Sequence, residues 1–201
     1  MPIPQFIESI RLKNGQLINI GYHSARMNVA RTEYKLTKTP YNLEGFFKHI
    51  TLPKNGLWKC RILYDTRIHK IHYQQYYPKK IDSLKVVIDD SIEYEHKLAE
   101  RRHLTKLYTQ RGNSDDIIIS KQGMVTDSYY GNLLFLKNGT WYTPETYLLR
   151  GTQRQYLLDQ KKIEIAKIRV EDIRQYEKVK IINAMLDLEN GPEIDAKNVR
   201  Y

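Results

Sequence analysis

Two of the four Asn-Gly dipeptides constrain this chain more than any other feature. Asn14-Gly15 separates the alternating stretch Phe6–Leu12 from a second one at Gln16–Ile20. Asn138-Gly139 separates Leu133–Leu136 from Thr140–Tyr142. Asn-Gly suits a two-residue turn with positive φ at both positions, whose twist matches that of paired strands. Each half of the chain is therefore expected to hold an antiparallel hairpin. Around the first, Ser24 is placed to cap a helix to about Tyr34, with Ala25, Met27 and Ala30 among its packing positions. Leu57–Leu63, Ile68–Tyr73 and Leu84–Ile88 read as strands. In the second half a helix is predicted over 99–110, stopped by Gly112, then a buried strand at Ile117–Ile119. A short helix follows Gly151 through Leu158, Ile163–Val170 reads as a strand, Val170-Glu171-Asp172 opens an acidic-capped helix, and Val179–Ile182 is the last strand before a polar tail from Glu189. These elements predict a mixed α/β chain of two α/β domains, 1–92 and 93–201.

Charge narrows the partners. The chain has 33 Lys+Arg against 23 Asp+Glu, a net +10. Residues 1–67 hold 11 basic and four acidic side chains, so most of the excess lies there. No run of five or six basic residues occurs, which fits a solvated basic surface or a site for a small anion better than a polynucleotide partner. Sixteen tyrosines, with Tyr73, Tyr76 and Tyr77 close together, suit half-buried sheet faces. No apolar run approaches the roughly 20 residues of a membrane helix, and Met1-Pro2-Ile3-Pro4 lacks a secretory pattern, so a cytoplasmic protein is expected. The single cysteine, Cys60, excludes a disulfide framework and a multi-thiolate metal site, and is expected to be a buried small hydrophobe.

Common nucleotide signatures are missing. There is neither a Gly-x-x-x-x-Gly-Lys loop nor a Gly-x-Gly-x-x-Gly turn. His69 and His72, three apart in a strand-like segment, point to opposite faces, so no metal site is expected.

Five short segments, each weak alone, gain meaning from their order. They are His23-Ser24-Ala25-Arg26; Lys97, with Arg101 four residues on; Gly123-Met124-Val125-Thr126-Asp127-Ser128 followed by Asn132-Leu133-Leu134-Phe135; Leu149-Arg150-Gly151-Thr152-Gln153-Arg154; and Ile181-Ile182-Asn183-Ala184-Met185. In this order the chain resembles, from about Phe6 to Met185, the fold-type IV pyridoxal-phosphate enzymes, which include 4-amino-4-deoxychorismate lyases and the D-amino-acid and branched-chain aminotransferases.

The resemblance implies a D-amino-acid aminotransferase-like fold, with pyridoxal 5'-phosphate in the cleft between two domains, and a homodimer. It assigns Lys97 as the catalytic lysine, which attaches the cofactor and moves the substrate's Cα proton. Asp127 stands where the family places the carboxylate at the pyridine nitrogen, commonly a Glu one methylene longer. Arg26 matches the phosphate-binding arginine. Thr152 and Gln153 fall at the phosphate-binding helix start, although Thr152 stands one place earlier than in the family's usual Gly-x-Thr-Arg turn. Asn183 and Ala184 match a further strand-end phosphate contact. The implied substrate is a small anionic amino compound. The short chain favours the lyase, which eliminates pyruvate and yields 4-aminobenzoate for folate synthesis. The alternative is transamination of D-amino or branched-chain amino acids. A third reading, from another class, is a basic nucleic-acid-binding protein on a fold without its cofactor; the retained Lys97, Asp127 and Arg26 speak against it.

Overall fold

A computed structural model describes residues 3–201. Met1 and Pro2, which open the stretch read for a targeting signal, lie outside the described residues. The chain forms two compact units that exchange a short segment. One comprises the residues up to Tyr77 with His96–Glu100; the other comprises Pro78–Glu95 with Arg101–Tyr201. The segment between Tyr77 and His96, which contains the boundary expected at residue 92, belongs to the second unit.

The first unit begins with β1 (Phe6–Lys13) and β2 (Gln16–Leu17), followed by α1 (Ile20–Glu33), α2 (Leu43–Phe47), β3 (Leu57–Tyr64) and β4 (Ile68–Gln75). Asn14 and Gly15 both have positive φ, 49° and 83°, as the turn requires. The return strand is only two residues long, because the chain enters α1 at Ile20. α1 therefore starts earlier than its sequence suggested. Its N-cap is Asn19, and Ser24 lies within the helix, donating its hydroxyl to the Tyr41 carbonyl. The tertiary partner overrode the local capping signal. The four strands form an antiparallel sheet in the order β2-β1-β3-β4. Phe6, Ile10, Cys60, Ile62 and Tyr64 form its core with Met27 and Ala30 of α1 and Leu43 and Phe47 of α2. Full burial of side chains such as Phe6, Ile10 and Ile62 contributes about 1.5–3 kcal/mol each. Cys60 is part of this core, and burial pushes its thiol up to about 12, so it stays protonated.

The second unit contains β5 (Leu84–Ile88), α3 (Arg102–Tyr108), β6 (Asp116–Lys121), β7 (Met124–Ser128), β8 (Asn132–Lys137), β9 (Thr140–Pro144), α4 (Thr152–Asp159), β10 (Glu164–Ala166), β11 (Lys178–Ile182), β12 (Glu193–Asp195) and β13 (Val199–Arg200). They build a nine-stranded mixed sheet, β10-β9-β8-β7-β6-β5-β13, with β11 paired to β8 and β12 to β11. β6 runs parallel to β5 and is buried along nearly its whole length, as the apolar Ile117–Ile119 run implies. The Asn138-Gly139 turn has φ of 51° and 76° and joins β8 to β9. Three expectations change here. The helix predicted over 99–110 shortens to Arg102–Tyr108 plus a 3-10 turn, since residues 97–99 are drawn into strand-like pairing. The strand expected at Ile163–Val170 shrinks to Glu164–Ala166, and the acidic segment after it is a 3-10 helix, Val170–Gln175. The polar tail is not a tail: β12 pairs antiparallel with β11, and β13 pairs parallel with β5. Ile194 and Val199 anchor it in the core around Leu133, Phe135 and Ile181. No helix among the described residues is long and apolar enough to cross a membrane.

Candidate active site

The first unit ties both Arg26 and Lys97 to the same strand. Near its start, β1 is paired with β3 on one edge. Its other edge takes up the stretch around Lys97. The Ile7 N–H donates to the Lys97 carbonyl at 2.9 Å, and the Ala99 N–H donates to the Gln5 carbonyl at 2.8 Å. Lys97 is half-buried in this extended segment. From α1, Arg26 reaches down to Glu8 of β1. Its Nε donates to Oε1 at 2.9 Å and its Nη2 to Oε2 at 2.6 Å, a side-on bidentate pair. His23, one helical turn before Arg26, completes the cluster, its Nδ1 lying 2.6 Å from Glu8 Oε2.

Glu8 is fully buried. Burial alone pushes its carboxyl up, yet the Arg26 guanidinium and His23 hold it down at about 2. Burial also pushes the His23 ring down despite the carboxylate beside it, and the positive charges of Arg26 and Lys97 act in the same downward sense. An ionised carboxylate cannot donate, so the short contact places the proton on His23 Nδ1.

The second unit gathers the other expected residues at one end of its sheet. Asp127 near the end of β7 is buried and pairs in register with Asn132 of β8. The Asn132 amide donates to Asp127 Oδ1 at 2.8 Å, and the Leu149 N–H donates to Oδ2 at 2.9 Å. Burial raises the Asp127 carboxyl to about 6, partly opposed by these donors and by the charge of Arg154. The same Asn132 amide also donates to the Leu149 carbonyl at 3.0 Å, tying the 149–151 loop to the strand. Directly after this loop, α4 begins with Thr152 and Gln153, both buried. Its N-cap is Gly151, which offers no side chain to the first-turn N–H groups. Arg154 is buried too, donating to Thr143 Oγ1 at 3.0 Å and to the Pro144 carbonyl at 2.9 Å.

Ile182, opposite Asn132 in the β11–β8 register, leads into Asn183 and Ala184. Asn183 and Leu186 close a tight turn by exchanging backbone hydrogen bonds, and Asn183 Oδ1 accepts from the Met185 N–H at 2.8 Å. Asp127, Thr152, Gln153, Asn183 and Ala184 are thus brought to neighbouring strand ends and loops of one unit. Glycines permit this crowding. A Cβ on Gly151 would lie 1.8 Å from Asn132 Oδ1, and one on Gly131 would lie 2.5 Å from the Ile182 carbonyl oxygen. Gly151→Ala is therefore expected to lower stability by about 1–3 kcal/mol, as overpacking does, and to displace Asn132 from Asp127. Urea denaturation checks the first effect.

Each unit by itself carries groups that fit parts of pyridoxal phosphate. In the second, a buried carboxylate steadied by two donors suits a protonated ring nitrogen, and a helix start lined by small or polar residues suits a phosphate; in the first, an arginine and a lysine supply cationic and amine groups. Glu8 belongs to none of the five segments. Its signal lies in the alternation: residues 6, 8, 10 and 12 share one face, and a carboxylate in a register otherwise filled by Phe6, Ile10 and Leu12 requires a buried counter-charge.

Comparison with known proteins agrees. The family model for amino-transferase class IV matches residues 5–188. A Haemophilus influenzae protein of uncharacterised function is 40% identical over 181 residues, 89% of this chain and 96% of that one. A crystal structure from Haemophilus somnus 129pt, described as a candidate 4-amino-4-deoxychorismate lyase, is 37% identical with a TM-score of 0.87, covering 94% of this chain and all (100%) of that chain. A hypothetical aminotransferase from Mycobacterium tuberculosis, in its PLP-bound form, shares the fold at 12% identity with a TM-score of 0.76, covering 98% of this chain and 84% of that one. With its ordered motifs, mixed α/β fold and family match over most of its length, the chain belongs to the class IV aminotransferases, a family of pyridoxal-phosphate-dependent enzymes.

Proposed function

We propose that this enzyme is a 4-amino-4-deoxychorismate lyase, releasing pyruvate and leaving 4-aminobenzoate for folate synthesis. The observation that carries the reading is the near end-to-end likeness, at 37% identity, to the Haemophilus somnus protein described as a candidate for that activity. The buried Asp127, with its paired donors, supports the underlying chemistry.

When bound, pyridoxal phosphate supplies an electron-accepting ring that stabilises negative charge on the substrate carbon bearing the amino group. Lys97 removes the proton from that carbon and carries it onward as the enolpyruvyl group departs. Asp127 keeps the ring nitrogen protonated. Arg26, the N–H groups of Thr152 and Gln153, and the turn at Asn183 and Ala184 hold the phosphate. The basic excess of residues 1–67 suits an anionic amino substrate. A homodimer in the cytoplasm is part of the same reading.

The test is direct. Purified protein supplied with pyridoxal phosphate and 4-amino-4-deoxychorismate is expected to release pyruvate and 4-aminobenzoate in equal amounts. No release, together with steady transamination of D-alanine or leucine, would overturn the lyase and establish the aminotransferase alternative, with which the family match is also consistent.

A further inference from the structure

Arg26 meets an anion only if something fixes its long side chain, and the first unit contains such a device. Two of its five N–H donors are engaged side-on by the fully buried Glu8 carboxylate. His23 donates to Glu8 Oε2, the oxygen that also accepts from Arg26 Nη2. The carboxylate is therefore held from two positions of one helix, three residues apart. Side chains at this spacing share a helix face, so α1 and β1 are locked together at this point. The strand that carries Glu8 also carries the backbone clamp on Lys97, because Ile7, its immediate neighbour, donates to the Lys97 carbonyl.

A simple core role does not explain this arrangement. The other inward positions of β1 are Phe6, Ile10 and Leu12, each fully buried and apolar. A carboxylate among them costs desolvation, and a buried ion pair is often no more stabilising than apolar residues of the same volume. Its specific effect is geometric. A bidentate carboxylate fixes both the plane and the direction of a guanidinium, which an apolar neighbour cannot do.

We propose that Glu8, steadied by His23, is the positioning residue for Arg26, holding the guanidinium in the pose that receives the cofactor's phosphate. The proposal rests on the reading of Arg26 as a phosphate ligand. Glu8 touches neither cofactor nor substrate in this scheme; it acts through Arg26. The consequence is selective. Loss of the carboxylate weakens recognition of the phosphate and leaves recognition of the rest of the cofactor in place.

The experiment compares two probes, pyridoxal phosphate and pyridoxal, titrated into cofactor-stripped protein and followed by visible absorbance and intrinsic fluorescence. Glu8→Gln is expected to weaken affinity for pyridoxal phosphate about 10- to 100-fold, the loss typical of misplacing one charge-assisted hydrogen-bonding group. Affinity for pyridoxal is expected to stay unchanged. Glu8→Asp, which keeps the charge one methylene short, is expected to show a smaller loss with the same selectivity. In an Arg26→Ala background, adding Glu8→Gln is expected to cost nothing further.

Equal loss for both probes, or additive losses in the double variant, would overturn the proposal in favour of a purely structural carboxylate. Circular dichroism shows whether Glu8→Gln folds; if it does not, Glu8→Asp carries the same comparison. A wild-type protein that binds neither probe would overturn the pyridoxal-phosphate site itself. A wild type that prefers pyridoxal phosphate, with the preference undiminished in both Glu8 variants, would overturn only the role of Glu8.

Discussion

Lys97→Ala is expected to lower pyruvate release by about 10⁴-fold, the upper range for a residue that moves a proton in the rate-determining step. The variant is also expected to lose the covalent attachment of the cofactor. Borohydride treatment of the wild type followed by peptide mass analysis is expected to find the cofactor's mass on the peptide containing Lys97, and Lys97→Ala is expected to carry none. Modification at another lysine would refute the assignment. The fold is expected to survive the change. The contacts that hold this segment to β1 come from the backbone: the Lys97 carbonyl accepts from Ile7 and the Ala99 N–H donates to Gln5. Unfolding midpoints close to the wild-type value are therefore expected in urea, which separates lost chemistry from lost structure.

Asp127→Asn is expected to be the second large effect, a fall in turnover of about 10²- to 10³-fold with covalent attachment retained. The amide is nearly isosteric, but its single oxygen can accept from only one of the Asn132 amide and the Leu149 N–H, and the negative charge proposed to face the ring nitrogen is gone. Unchanged turnover would show that the ring nitrogen is served elsewhere. The pH dependence follows from the same site. Burial raises this carboxyl to about 6, above the roughly 3.9 of an exposed Asp. For the cofactor-stripped protein, the contribution of this group to stability is fully present below about pH 4 and is lost as pH rises through 6, because ionising a buried carboxyl is costly. A protonated ring nitrogen reverses the preference, as it favours the charged form. Cofactor affinity is accordingly expected to fall as pH drops through about 6 in the wild type, and to lose that dependence in Asp127→Asn. Equilibrium titration between pH 5 and 8 checks both.

Much of this protein is legible from local chemistry. The Asn-Gly pairs at 14–15 and 138–139, each set between alternating stretches, announce hairpins because the dipeptide tolerates the positive φ that strand twist favours in a tight turn. The Ile117–Ile119 run announces a strand buried on both faces, because both alternating sets of side chains are apolar, and β6 is so buried. The order of Arg26, Lys97, Asp127, Thr152 and Asn183 is enough to suggest a family, because a cofactor with an aldehyde, a ring nitrogen and a phosphate requires those residue types.

Other features depend on partners far along the chain. Ser24 is a good cap by composition, yet the Tyr41 carbonyl, 17 residues away, takes its hydroxyl, and α1 begins at Ile20 instead. The polar end after Glu189 gives no periodic signal, and strands form there because β11 and β5 present open edges. Local pattern thus determined the elements and the cast of chemical groups. Tertiary structure alone decided that Glu8 faces Arg26 and His23, and that Asn132 links Asp127 to the loop before α4. Hydrogen-bond partners of buried charges are set by which elements meet in space, and no spacing along the chain specifies that meeting.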